Sequence, residues 1–300
     1  MKFIKNIFLI SLIALVGYFA YYNKETLSAY FRKIMSTYKD IEIKDANEYV
    51  RTYNIKKFSY NEDFKPHSKE DLENILFNVL NNGYDSFTFY CPKDYENCLS
   101  DVTELANDAH TLSIINNYVN PFNSFVYLDT ITNSLGEITI KVTKNYSEFE
   151  IKQINSKIDD ILNKLNISSL SKSEQIEKIH EYLIENTEYD NKYDEKIGNH
   201  YSETANGALL NGSAICSGYS DAFALFMDRI NVPNIKVSSE EHVWNLVYID
   251  DKWKHIDVTW DDTKSSIILG YKFYLIDTSD LLKLDPKDHT FDKTFYLEAL

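Results

Sequence analysis

No stretch of this sequence concentrates lysine and arginine, and the whole chain carries a formal net charge of -15, from 46 acidic against 31 basic residues. A surface of that sign repels a phosphate backbone, so nucleic acid is excluded as a partner. Internal repeats and low-complexity tracts are absent as well, which leaves ordinary globular segments to be assigned. Cysteine is scarce, at 3 residues: Cys91, Cys98 and Cys216. Cys91 and Cys98 stand close together, either as a disulfide in an oxidising compartment or as reduced thiols on a loop and its flank. Zinc binding by that pair would need further ligands at matching spacing, and none is nearby. What the chain does have is apolar material, 44% hydrophobic and 14% aromatic, enough for one large core or two modest ones. The 23 Tyr and 17 Phe are read as filling those cores rather than as a ligand-binding surface.

At the N-terminus, Lys2 and Lys5 precede an apolar run over 7–22, broken by Ser11 and Gly17 and closed by Asn23, Lys24 and Glu25. Signal peptides and short membrane anchors overlap at that length. Cleavage needs small residues one and three positions before the cut, and Ala20 has Tyr18 where the second should stand. Residues 1–23 are therefore expected to be an uncleaved, single-pass signal-anchor helix. The lysines before it place the N-terminus in the cytoplasm and the rest of the chain outside, at the cell surface. Residues 24–63, charged and tyrosine-rich, read as a tether.

From 64 to 146 the pattern is a small α+β region. Leu72, Ile75, Leu76, Val79 and Leu80 recur at helical spacing over 68–80, and Asn81, Asn82 and Gly83 end that helix. Aromatic or β-branched runs at 87–90 and 125–128 predict strands, with one helix over 100–119 between them. Ile138, Ile140 and Val142 alternate as a half-buried strand does. Nothing catalytic is visible there. Two periodic helices follow, the first burying Ile151, Ile154, Ile158 and Ile161, the second starting at a capping box of Ser171 and Glu174. His180 falls on the buried stripe of the second and reads as a satisfied core histidine.

The chemistry-bearing residues come later. Small, turn-forming Asn211, Gly212 and Ser213 lead into a helix that buries Tyr219, Ala222, Phe223, Phe226 and Ile230, so Cys216 sits in its first turn. The free N–H groups and positive dipole end there favour thiolate over thiol and can stabilise an oxyanion. By itself that position fits a buried structural cysteine equally well. A hairpin supplies the partners. Runs at 242–249 and 252–260 are joined by Asp250 and Asp251, and the two-residue loop fixes the register. Pairing Ile249 with Lys252 sets Trp244 opposite Asp257, which leaves His242 and Asp257 as diagonal neighbours on one face. One imidazole nitrogen can then be held by Asp257 while the other takes the proton of Cys216. His255 shares this face, opposite Leu246 and nearer the turn, as a packed residue. Zinc held by Cys216, His242, His255 and Asp257 is the competing chemistry, disfavoured by the loose ligand spacing. The triad reading needs no metal and no cofactor.

These residues resemble a known family. The segments GSAICSGYSDAF around Cys216, HVWNLVYIDDKWKHIDVTWDD around His242 and Asp257, and EKIHEYLIENTEYD before them look like bacterial members of the transglutaminase-like superfamily. The resemblance covers roughly 170–280 and only loosely the N-terminal third. It implies a papain-like α+β fold, in which a helix carrying the cysteine packs on an antiparallel sheet carrying the histidine and aspartate, over 147–300. It also implies Cys216 as nucleophile, His242 as base and then acid, and Asp257 as orienter. Gly218 and Tyr219 match positions that pack the helix closely, and Trp244, Asn245 and Trp260 match positions that line or support the site. Lys254 departs from the family, which often has an aromatic before the histidine of the second strand.

The expected function is an acyl-enzyme formed from a carboxamide, resolved by an amine (transglutaminase-type transfer) or by water (amide or peptide hydrolysis). The substrate would be a protein or cell-wall peptide. The rival is a non-catalytic cell-surface module that uses the same fold to bind protein or glycan, against which the intact Cys216, His242 and Asp257 argue.

Overall fold

The computed structural model describes residues 2–38, 41–44, 46–49, 64–262 and 271–300. Two helices open the chain, α1 (Lys2–Tyr22) and α2 (Lys24–Tyr38), followed by the short strand β1 (Glu42–Lys44). No helix among the described residues is long and apolar enough to cross a membrane. A span needs ~20 predominantly apolar residues. The run over 7–22 falls short of that, and Ser11 and Gly17 interrupt it. The expected signal-anchor, the single-pass attachment, the membrane as a partner and the cell-surface location built on them are corrected accordingly. Of the tether expected over 24–63, residues 39–40, 45 and 50–63 lie outside the described residues.

The next region is built by local capping and alternation. Ser68 accepts the Asp71 N–H at the start of α3 (Lys69–Asn81), which buries Leu72, Ile75, Leu76, Val79 and Leu80. Strand β2 (Ser86–Tyr90) follows, then α4 (Cys98–Asn107) and α5 (Ala109–Tyr118). The single helix expected over 100–119 is thus split at Asp108. Its carboxylate accepts both the N–H of Thr111, at 3.1 Å, and the Thr111 hydroxyl, at 2.7 Å, so it caps a new helix instead of continuing the old one. Cys91 and Cys98 form a disulfide, which resolves the choice the sequence leaves open. Strands β3 (Phe125–Thr132) and β4 (Glu137–Lys144) complete an antiparallel sheet in the order β1-β2-β4-β3.

Two capping boxes, Ser147 with Glu150 and Ser171 with Glu174, start α6 (Glu148–Lys164) and α7 (Lys172–Asn186). The short strand β5 (Glu188–Tyr189), α8 (His200–Glu203), a π-helical turn at Gly207–Asn211 and β6 (Ser213–Ala214) then lead into α9 (Cys216–Arg229). Strands β7 (Asn234–Ser238), β8 (Val243–Ile249) and β9 (Lys252–Ile256) form a second antiparallel sheet, and α10 (Val258–Asp261) and α11 (Thr278–Leu284) follow.

This second sheet has a core on each face. Ile235, Val237, Trp244 and Leu246 join the cluster of Phe87, Ile114, Ile115 and Tyr118 from the preceding region. Val247 and Ile256 join Ile158, Ile179, Phe223 and Phe226 of the helical layer α6, α7 and α9. Burying each such side chain stabilises the fold by roughly 1.5–3 kcal/mol. A sheet held from both sides gives the side chains at its end fixed positions, and α9 begins there.

Candidate active site

Ile215 stands in extended backbone before α9, with φ −93° and ψ 179°, and no side chain caps the helix. Its leading N–H groups therefore have no intrahelical partners and present the positive dipole end at Cys216. Cys216 is a free, half-buried thiol. Gly218 lets this turn approach its surroundings: a Cβ there would lie 2.6 Å from the Ser202 carbonyl oxygen and 2.8 Å from that of Thr204. Asn245 fixes the helix to β8 by donating its side-chain N–H to the Ser220 carbonyl, 3.0 Å away. Tyr219, fully buried, donates its hydroxyl to Asp262 at 2.5 Å, and burial together with that carboxylate pushes the phenol far above its usual range.

The hairpin is held by Asp250 and Asp251, both in left-handed backbone with φ 51° and 59°, the conformation a tight two-residue turn requires. Its register pairs Ile249 with Lys252, Leu246 with His255 and Asn245 with Ile256. One step further on, Asp257 reaches the level of Trp244. The strand expected to run through 260 stops at Ile256, because Asp257 becomes a helix cap: its Oδ1 accepts the Trp260 N–H at 3.0 Å. That leaves Oδ2 for the histidines.

Asp257 Oδ2 lies 2.5 Å from His242 Nε2. With Nε2–H donated to the carboxylate, Nδ1 is left to face Cys216, whose thiol lies near enough to act on the ring. Burial alone would lower the imidazole; the Asp257 charge and hydrogen bond, with a smaller push from Cys216, outweigh it and raise His242 to about 10. Burial alone would raise Asp257, but the His242 charge and hydrogen bond, with hydrogen bonds from His289 and the Trp260 N–H, hold it at about 2. Trp244 stacks on the His242 ring at 5.7 Å between centroids. Trp260, 37% exposed, stands edge-on to it at 6.1 Å.

His255 takes no part in this contact. Its Nδ1 accepts from Trp244 Nε1 at 2.9 Å, which makes Nε2 the donor to the Thr278 hydroxyl, also 2.9 Å away. Burial, then the nearby His289, lower its pKa to about 3. His180, expected as a satisfied core histidine, is buried with Nε2 3.1 Å from Asp261, but its Nδ1 has no partner among the described residues.

Several neighbours of the site are not apparent in the sequence. His289, fully buried, contacts Asp257 Oδ2 through Nε2 at 2.9 Å and Asp285 Oδ2 through Nδ1 at 2.8 Å. The only local signal is the four-residue spacing of Asp285 and His289; the contact with Asp257 spans 32 residues. Tyr189 and Tyr193 lie near enough to feel the charge of Cys216, Tyr189 being placed by the parallel pairing of β5 with β6.

His242, Asp257 and His289 could each offer a ligand atom to a metal, all within 4.8 Å of one another. The contacts of 2.5 and 2.9 Å to one shared oxygen are proton-sharing distances. Tetrahedral zinc, with ligand bonds of ~2.0–2.2 Å, holds its donor atoms about 3.3 Å apart. The observed arrangement is therefore a hydrogen-bonded chain.

Residues 160–258 match the family model of the transglutaminase-like superfamily, so this stretch, which contains Cys216, His242 and Asp257, carries that superfamily's fold. His289 and Asp285 lie outside it. No curated protein matches the chain. Among solved structures, one described as the crystal structure of a TGase shares 16% identity with a TM-score of 0.36, over 50% of this chain and 48% of that one. A candidate cysteine protease from Cytophaga hutchinsonii shares 12% identity with a TM-score of 0.25, over 44% of this chain and 61% of that one. The chain thus spans about half the length of the first of these, and likenesses this distant do not inform the site.

Proposed function

Starting from the transglutaminase-like fold of residues 160–258, we propose that the protein is a cysteine-nucleophile enzyme that forms an acyl-enzyme from a carboxamide or peptide group of a protein or peptide substrate. The observation that carries this reading is the alignment of three groups. A free thiol opens α9, an imidazole lies near enough to feel it, and a buried carboxylate lies 2.5 Å from a nitrogen of that imidazole. Cys216 is the nucleophile, His242 the proton carrier and Asp257 the group that orients it; the unit that contains them is 147–300.

In the first half-reaction the Cys216 proton already resides on His242, as a thiolate–imidazolium pair, and the thiolate sulfur bonds to the carbonyl carbon, whose π electrons move onto oxygen. Leading N–H groups of α9 face that oxyanion. The C–N bond then breaks, the amine or ammonia leaves with the proton from His242, and a thioester remains. In the second, His242 takes a proton from an amine or from water as it attacks, and returns it to the departing sulfur. Gly218 and Asn245 support this by fixing α9, Tyr219 by anchoring it to Asp262, and Trp244 and Trp260 by enclosing the imidazole.

The test is incubation with a primary-amine probe and a glutamine-rich protein, beside Cys216→Ala. Amine incorporation that needs Cys216 assigns transfer; deamidation or cleavage that needs Cys216 assigns hydrolysis. If neither occurs and iodoacetamide labels Cys216 no faster than an unstructured thiol, the nucleophile reading fails.

A further inference from the structure

We propose that His289 and Asp285 are positioning residues, an outer ion pair that fixes the Asp257 carboxylate and sets how readily protons move between Cys216 and His242. The inference rests on the nucleophile reading for its effect on Cys216, but the ion pair itself stands on geometry.

His289 is fully buried, and each of its ring nitrogens faces a carboxylate oxygen, Asp257 Oδ2 at 2.9 Å and Asp285 Oδ2 at 2.8 Å. A carboxylate offers only lone pairs, and a neutral imidazole has a single N–H. A neutral His289 would therefore set a lone pair against a lone pair in a buried site, which is costly. Both nitrogens carry protons, and the ring is a cation between anions.

Its aromatic surroundings suit a cation. The rings of Trp244, Phe273 and Trp260 lie 4.8, 5.1 and 5.3 Å from it between centroids. Among the described residues, the other titratable groups around it are His242, at 5.3 Å, and His255. The charges alternate from Asp285 through His289 to Asp257 and His242, ending at Cys216.

Two consequences follow. Oδ2 of Asp257 accepts from two donors while Oδ1 caps α10, so the carboxylate cannot rotate away from His242. The positive charge of His289 also offsets part of the pull that Asp257 exerts on the His242 proton, and it favours thiolate at Cys216. Glutamine at 289 can still donate one hydrogen bond but carries no charge. In His289→Gln the pH dependence of Cys216 alkylation should move to higher pH by about one unit. A change in folding alone would lower the rate or stability without displacing the profile.

The experiment uses the full-length protein. Nitrogen-15 spectra of histidine-labelled protein near neutral pH should show both nitrogens of His289 protonated, the resonance being assigned by its loss in His289→Gln. Iodoacetamide alkylation profiles should be displaced upward in His289→Gln relative to the wild type, and also in Asp285→Asn, where His289 loses the carboxylate that holds its second proton and with it its charge. A singly protonated His289, or profiles that superimpose, overturns the proposal. Cys216 alkylation that is equally fast in the wild type and in His242→Gln overturns the nucleophile reading instead, and leaves the doubly protonated His289 standing.

Discussion

Residues 64–146 and 147–300 bury different kinds of side chain. In the first region the buried polar residues are neutral: Asn78, Asn81, Thr88, Thr111, Asn117, Asn120, Asn123 and Ser124. In the second they include His180, Asp221, Lys236, His255, Asp257, Asp261 and His289. A buried ionisable group destabilises a fold unless it is paired, and replacing such pairs by apolar residues is often neutral or stabilising. The first region fills its interior with apolar side chains, a disulfide and neutral polar groups, and keeps charged pairs such as Lys144 with Asp85 partly in solvent. A fold that needed only stability could do the same throughout, so the concentration of paired charge in the second region fits the chemistry proposed for it.

That contrast can be broken by experiment. The largest expected effect is from Cys216→Ala, which removes turnover and covalent labelling, a loss of roughly 10⁴-fold or more. Thermal stability should hardly change. Residual turnover within tenfold of the wild type would show that the second region's charges serve something else. Asp257→Asn should lower turnover by ~10²- to 10⁴-fold while substrate still binds, measured as kcat against KM. Equal loss in binding would assign Asp257 to structure instead.

The opposite behaviour is expected of the first region. Phe87 is fully buried, with Phe64 at 4.8 Å and Phe89 at 6.0 Å between ring centroids. Phe87→Ala should destabilise the protein by about 3–5 kcal/mol in urea denaturation and leave turnover of the still-folded fraction intact. Loss of turnover without loss of stability would sink the division of labour.

A smaller effect is the dependence of stability on pH. The folded pKa of His242 is raised from 6.5 to about 10, so the stability it contributes is full below 6.5, declines above that and is lost as pH rises through about 10. Asp257, lowered from 3.8 to about 2, contributes above 3.8 and loses that contribution as pH falls through about 2. The stability difference between the wild type and His242→Gln should therefore shrink between neutral pH and about 10. A difference flat across that range contradicts the His242–Asp257 coupling.

Much of the candidate site was legible because its geometry is local. A two-residue turn at Asp250 and Asp251 fixes which residues face each other, so the nearness of His242 and Asp257, and the distance of His255 from them, follow from counting. The opening of α9 at Cys216 likewise follows from turn residues ahead of an apolar stripe. Three things did not follow. Asp108 and Asp257 look like ordinary positions within a helix and a strand, yet each ends one element and caps the next, a competition of side chain with backbone that periodicity does not register. His289 reaches Asp257 only once the chain after α11 folds back, and no pattern near Asp285 announces it. The apolar run over 7–22 has the character of an anchor but not the length.

The 3 tryptophans of the chain, Trp244, Trp253 and Trp260, all belong to the hairpin or to the turn that follows it. The tryptophan emission of the protein therefore originates wholly in this hairpin and the turn after it, and residues 64–146 contribute none of it. Trp244 stacks on the His242 ring and Trp260 stands edge-on to it with part of its surface in solvent. Protonated imidazole quenches indole emission, so a change in the protonation of His242 changes the signal. The unmodified chain carries its own optical readout of events at Cys216.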